Sequence, residues 1–265
     1  MISKLVGREF ADNHPCVSWR GESFSAGNEL SSFLQSQVRS RLDDEEGTDA
    51  FHNHLRGLEL TGMGKANLEA VLNAEESENR DWAAGEALAE AYLIESESFI
   101  FPWNMERDKR NPFGSLPGAD LVGFVAEGTG FRLALGEVKT SSEKNYPPQV
   151  MSGRSGHMGH QIDALASNLT TICHLIKWLH PRTRGGNYQQ AFDLSCISYF
   201  NSGTKAVALF GVLIRDTIPN KLDLSVRGNA LRQKLAQPTL CNLIALYLPW
   251  NTEHLTTNIR LGGDL

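Results

Sequence analysis

The stretch that decides the fold is "GADLVGFVAEGTGFRLALGEVKT", residues 118–140. Two apolar runs flank a turn at Gly128-Thr129, and apolar side chains recur along each run with the period of two that marks a strand. A turn centred on residues 128 and 129 pairs residues whose numbers sum to 257, which sets Asp120 opposite Glu137. On the second strand Phe131, Leu133, Leu135, Glu137 and Lys139 share one face, apolar for three positions and then ionic. Directly opposed residues have Cβ atoms roughly 4.5–5.5 Å apart, and like charges placed so destabilise a sheet. The two carboxylates therefore require a shared proton, a cation or a shifted register. Lys139 neutralises them in part, and a divalent metal would do so more completely.

This set of side chains points to metal-assisted hydrolysis of a phosphodiester. Mg²⁺, with Mn²⁺ as the alternative, takes a few carboxylate oxygens and leaves its other positions to water and phosphate. Such an ion lowers the pKa of a bound water and offsets charge growing in the transition state. Lys139 would orient the water or stabilise that charge. The plain alternative is a solvated hairpin end carrying a weak ion-pair cluster.

Working outward, residues 28–42 ("NELSSFLQSQVRSRL") carry Leu30, Phe33, Leu34 and Val38 at helical spacing, and the acidic "DDEEGTD" that follows ends the helix. Further helices are expected over 64–76 and 79–96, the latter placing Trp82, Ala89 and Leu93 towards a core. "FIFPWN", 99–104, reads as a short strand closed by proline, and 105–118 as a polar loop. Residues 157–180 hold Ile162, Leu165, Leu169, Ile172, Leu175 and Ile176 on one face, which predicts a single long helix stopped by Pro181. "KAVALFGVLIRD", 205–216, is a continuous apolar run typical of a strand covered on both sides, and 240–250 is another strand. Helices before and after a central set of strands, with a return strand beyond a crossover helix, give an α/β fold with a mixed central sheet and flanking helices. The whole chain, 1–265, reads as one domain: an N-terminal extension with helices (1–78), a core (79–216), and a C-terminal helix and strand (217–265).

Composition narrows the function. The formal net charge of −6 gives no overall basic field for nucleic acid, although a locally basic cleft suffices. Residues 42–97 are mostly acidic, whereas Arg107, Lys109, Arg110, Lys139, Lys144, Arg154, Arg182 and Arg184 gather further on, so the middle of the chain is where an anion would be met. The four cysteines, Cys16, Cys173, Cys196 and Cys241, form no C-x-x-C pair and suggest reduced thiols in a cytoplasmic protein. No signal core and no apolar run of about 18 residues is expected to enter a membrane.

Asp120 with Glu137-Val138-Lys139 resembles the motif of the PD-(D/E)XK nuclease superfamily, an acid at the start of one strand and E-x-K in the next. The resemblance covers roughly 82–216 and implies a restriction-endonuclease-like core. It also implies a glutamate on the preceding helix that completes the metal site with Asp120 and Glu137. In "WAAGEALAEAY" that position falls on Glu86, with Glu90 as competitor one turn on. A site-facing glutamine on the following helix, present in several branches, falls on Gln161, while the tyrosine found four residues later in one branch is Leu165 here. "GEALAEAYL", "FPWN", "LPGADLVGF" and "LALGEVKTSS" are further similar to the HamA nuclease subunit of Hachiman-type antiphage defence, which implies a DNA substrate and a helicase partner.

Other constellations carry less. His157, His160 and Asp163 would chelate a metal only with a further ligand that no spacing supplies, and His52 and His54 are weaker still. Trp103, Arg107, Lys109, Arg110 and Phe113 form a basic, aromatic loop just ahead of Asp120, suited to phosphate contacts and base stacking or to plain solvation. Neither a phosphate-binding G-x-x-x-x-G-K-[ST] loop nor a G-x-S-x-G elbow is present. The expected function is a metal-dependent nuclease. The alternative is a catalytically silent nuclease-like subunit that binds nucleic acid or a partner protein.

Overall fold

The alternation in residues 118–140 does form a hairpin, and a seven-stranded sheet is built around it. The computed structural model describes residues 2–72, 81–108 and 118–261; the side chains of Asp81 and Trp82 lie outside that description. The strands are β1 (Val6–Asp12), β2 (Val17–Phe24), β3 (Phe99–Ile100), β4 (Leu121–Glu127), β5 (Gly130–Ser141), β6 (Val207–Arg215) and β7 (Leu240–Tyr247). Their order across the sheet is β1-β2-β7-β6-β5-β4-β3. The central pairs β2–β7, β7–β6 and β6–β5 are parallel, while β1–β2, β5–β4 and β4–β3 are antiparallel, so the sheet is mixed as the sequence indicates.

Helices cover both faces. The segment 28–42 is helical throughout but changes character: α1 (Asn28–Phe33) passes through a π-helical turn (Leu34–Val38) into α2 (Arg39–Leu42). Then follow α3 (Glu45–Arg56), α4 (Gly62–Leu72), α5 (Asp81–Glu97), α6 (Met158–Ser167), α7 (Leu169–Thr183), α8 (Gln189–Asn201), α9 (Leu222–Arg232) and α10 (Leu255–Leu261). On one face of the sheet Ala134, Val138, Val212 and Ile214 pack with α1, α5 and α10. On the other, Leu133, Leu135, Leu209 and Leu213 pack with α6, α7, α8 and α9. Every residue of β6 is buried, because this strand lies between both helical layers at the middle of the sheet.

Two expectations are corrected. The N-terminal part is no mere helical extension: β2 is an interior strand, hydrogen-bonded to β1 on one side and to β7 on the other. Its Arg20 and Glu22 disguise it in the sequence. In the structure Tyr92 Oη donates to Glu22 Oε2 at 2.6 Å and Arg20 reaches Glu97 at 2.5 Å, so the charges are satisfied by partners distant in sequence. The acidic "DDEEGTD" ends the helix at Leu42, as expected, and its later residues open α3, where Glu45 and Glu46 occupy the first turn and suit the positive end of the helix dipole. The expected long helix over 157–180 is two helices, parted at Asn168, whose side chain accepts from the amides of Thr170 and Thr171 and so caps α7. Pro181 does not stop α7, which runs on to Thr183. Among the described residues no helix is long and apolar enough to cross a membrane.

Candidate active site

The hairpin register is the one read from the turn. Glu127 pairs with Gly130 and Leu121 with Gly136, numbers that sum to 257 throughout. Asp120 stands one residue beyond the ladder. Its amide donates to the carbonyl of Gly136 at 3.0 Å, and its Oδ2 accepts the amide of Val138 at 2.9 Å. These two bonds hold the carboxylate against the end of β5, beside Glu137.

Glu137 is fully buried, on the β5 face shared with Leu133 and Leu135 and covered by the α6–α8 layer. Its register partner on β6 is Gly211, where a Cβ would stand 2.8 Å from Met158 Sδ and from Leu243 Cδ2. The missing side chain lets the first residue of α6 settle onto the sheet next to Glu137, which removes water from that carboxyl. Burial, and after it the facing Asp120 carboxylate, push the Glu137 acid up to about 8, against the opposing pull of Lys139. Lys139 Nζ donates to Glu137 Oε1 at 2.5 Å, and the lysine is about one-fifth exposed at the rim. Among the described residues no donor reaches Glu137 Oε2, although that atom is buried. Two acids and one amine are therefore brought together, with one carboxylate oxygen left without a donor.

The two helix residues named from the motif fall differently. Gln161 lies one turn into α6, and its buried Oε1 also lacks a hydrogen-bond partner. Glu86 is half-buried on α5, which packs on the opposite face of the sheet: a Cβ on the adjacent Gly85 would lie 2.6 Å from Thr140 Oγ1, a side chain directed away from that of Lys139. Among the described residues no group of three or more His, Cys, Asp or Glu side chains is close enough together to hold a metal ion, so Glu86 does not join Asp120 and Glu137 as a third ligand in this geometry. Its competitor Glu90 is buried in an ion pair with Arg41 at 2.5 Å. The carboxylate oxygens that remain suit a hard cation: Asp120 and Glu137 would supply two, and such ions commonly complete their shell with water and phosphate.

The other constellations are structural. Asp163 pairs with Arg227 at 2.6 Å and Lys234 at 3.1 Å, and His157 Nδ1 meets Ser152 Oγ at 2.6 Å, so the histidine pair is not joined by its presumed third ligand. Arg107 is bound twice by Asp44, at 2.6 and 2.8 Å, and lies over Trp103; Arg182 lies over Trp103 and Trp178 and pairs with Asp108 at 2.7 Å. These described members of the basic loop clasp it to α7 and to the start of α3. Lys109, Arg110 and Phe113 lie outside the described residues.

Sequence reasoning missed one buried charge near the site. Arg215, with no exposed surface, ends the apolar run of β6 beside Ser141 and pairs with the equally buried Asp223 at 3.4 Å. The available signal was an arginine closing a strand that otherwise reads as covered on both sides. Comparison with known proteins adds no relative: no protein-family model matches the chain, and no curated protein is significantly similar to it.

Proposed function

We propose that the chain is a metal-dependent phosphodiesterase acting on nucleic acid, with DNA as the substrate and Mg²⁺, or Mn²⁺, held by Asp120 and Glu137. The observation that carries this reading is the buried Glu137 Oε2, which has no donor and stands beside a second carboxylate and the Lys139 ammonium. A bound divalent ion supplies a water of lowered pKa and positive charge for the scissile phosphate. In this scheme Asp120, held by the Val138 amide, presents a fixed carboxylate to the ion. With such an ion held there Glu137 would be ionised, and Lys139 would be free to turn from Glu137 towards the attacking water or the phosphate oxygen. Gln161, on the α6 layer that covers this face of the sheet, keeps the supporting role that the motif resemblance implies. A helicase partner and a role in antiphage defence rest on the motif resemblance alone.

The test is incubation of the purified protein with circular and linear DNA, and with RNA, in Mg²⁺ or in EDTA. Cleavage in Mg²⁺, abolished in Glu137→Ala and Lys139→Ala proteins of unchanged circular dichroism, is expected. Undiminished cutting by either variant refutes the mechanism. One observation favours the silent-subunit reading: the described residues offer two clustered carboxylates, already bridged to an ammonium, rather than three. Nucleic-acid binding without cleavage in either metal would establish it.

A further inference from the structure

Arg215 is the largest fully buried side chain among the described residues, and apart from Asp223 its side chain meets the chain segment that leaves β5 after Lys139. Its Nη1 donates to the Ser141 carbonyl at 3.1 Å and to Ser141 Oγ at 3.3 Å, its Nη2 donates to the Asn145 carbonyl at 3.2 Å, and its guanidinium lies over the Tyr146 ring at 5.6 Å. The remaining partner, Asp223, receives Tyr247 Oη at 2.8 Å, which fixes the carboxylate on the far side. The two clamped carbonyls bracket Lys144. That lysine is exposed and makes no ion pair among the described residues, in contrast to Arg107 and Arg182. It stands five residues beyond Lys139, at most about 17 Å of contour, and the clamp shortens that path by turning the chain.

We infer that Lys144 contacts a backbone phosphate next to the scissile one, and that Arg215 is a positioning residue that holds Lys144 there. A rigid backbone under a free ammonium gives such a contact at a smaller cost in ordering than a loose loop would. The inference rests on the phosphodiesterase reading, and it names the substrate's charged backbone rather than its bases as what this segment recognises.

The experiment uses the full chain and a short labelled DNA duplex in Mg²⁺, with kcat and KM measured across a range of salt. Lys144→Gln is expected to raise KM several-fold, with the loss in KM rather than kcat, and to reduce the slope of log(kcat/KM) against log[salt] by about one. Arg215→Lys keeps the charge but not the fork of donors. It is expected to raise KM in the same way, and the double variant should be no worse than Lys144→Gln alone, because the two act through one contact. Should Arg215→Lys fail to fold, Ser141→Ala, which removes the hydroxyl that accepts from Arg215 and from the Glu143 amide, takes its place. An unchanged KM and salt slope in Lys144→Gln, or effects that multiply in the double variant, overturns the inference. A wild-type chain that cuts nothing sinks the phosphodiesterase reading and this inference with it, whereas cleavage indifferent to Lys144 sinks the inference alone.

Discussion

Glu137→Gln should make the metal-free protein more stable, and the gain should depend on pH in a way that only a buried acid explains. In the folded chain the Glu137 carboxyl is pushed from 4.5 to about 8, so folding favours its protonated form. A group raised in this way contributes its full stability below about pH 4.5, loses it progressively as pH climbs to about 8, and changes nothing further above that. Each unit of such a gap corresponds to 1.36 kcal/mol, which sets the total on the order of 5 kcal/mol before the site relaxes. For a chain of this size that is roughly 10 °C in Tm. Glutamine keeps the volume, cannot ionise, and still offers Lys139 an oxygen. Thermal or urea unfolding in EDTA should therefore show the two proteins nearly equal at pH 5 and the variant clearly ahead at pH 9. Adding Mg²⁺ at high pH should restore the wild type and leave the variant behind, since an ion that binds only the folded carboxylates stabilises by mass action. Parallel stability profiles for the two proteins would show that the carboxyl is not held neutral, and the account of the site would fail at its base.

Three further perturbations follow from other parts of the structure. Arg215→Met strands the buried Asp223, whose acid burial already raises, and should cost about 3–5 kcal/mol in urea unfolding; Asp223→Asn on the same background should recover part of it. Gly211→Ala forces a methyl to within 2.8 Å of Met158 Sδ and Leu243 Cδ2 and should cost about 1–3 kcal/mol, less when Met158 is also cut back to alanine, as unfolding midpoints would show. Asn168→Ala removes the acceptor for the Thr170 and Thr171 amides and should cost about 1 kcal/mol, with faster hydrogen exchange confined to the first turn of α7.

How much of this was legible from residues alone depended on whether the deciding interaction was local. The β4–β5 register was legible because a two-residue turn fixes it, and one face of each strand is apolar. The continuous burial of β6 was legible because both its faces are apolar. The strand β2 was not, since Arg20 and Glu22 read as solvated until Tyr92 and Glu97, over seventy residues away, are brought beside them. The helix α8 escaped for a related reason: its buried residues are Ala191, Phe192, Ser195 and Tyr199, and one of these is polar and one small, so no apolar stripe announces it. The break at Asn168 was local and open to reading, but the apolar spacing running through it carried more weight than the cap.

The same distinction separates the members of the candidate site. Asp120, Glu137 and Lys139 are related by one hairpin, so strand geometry alone brings them together, and the structure keeps them together. Glu86 depends on which face of the sheet α5 covers, and no period in the sequence reports that; α5 lies over Val138 and Thr140, and the side chains of Glu137 and Lys139 point the other way. A chemistry confined to the hairpin must then work with two carboxylates. Two acids fixed against each other in a dry site cannot both ionise without a partner, since desolvation and mutual repulsion act in the same direction. Lys139 offsets part of that repulsion, but it sits at the rim and binds only Oε1 of Glu137, which leaves the buried Oε2 without a donor among the described residues. A cation bound between the acids satisfies that oxygen and frees Lys139 for the phosphate. In its absence the proton on Glu137 fills the place, which is why the stability of the metal-free chain and its affinity for the metal should move in opposite directions as pH rises.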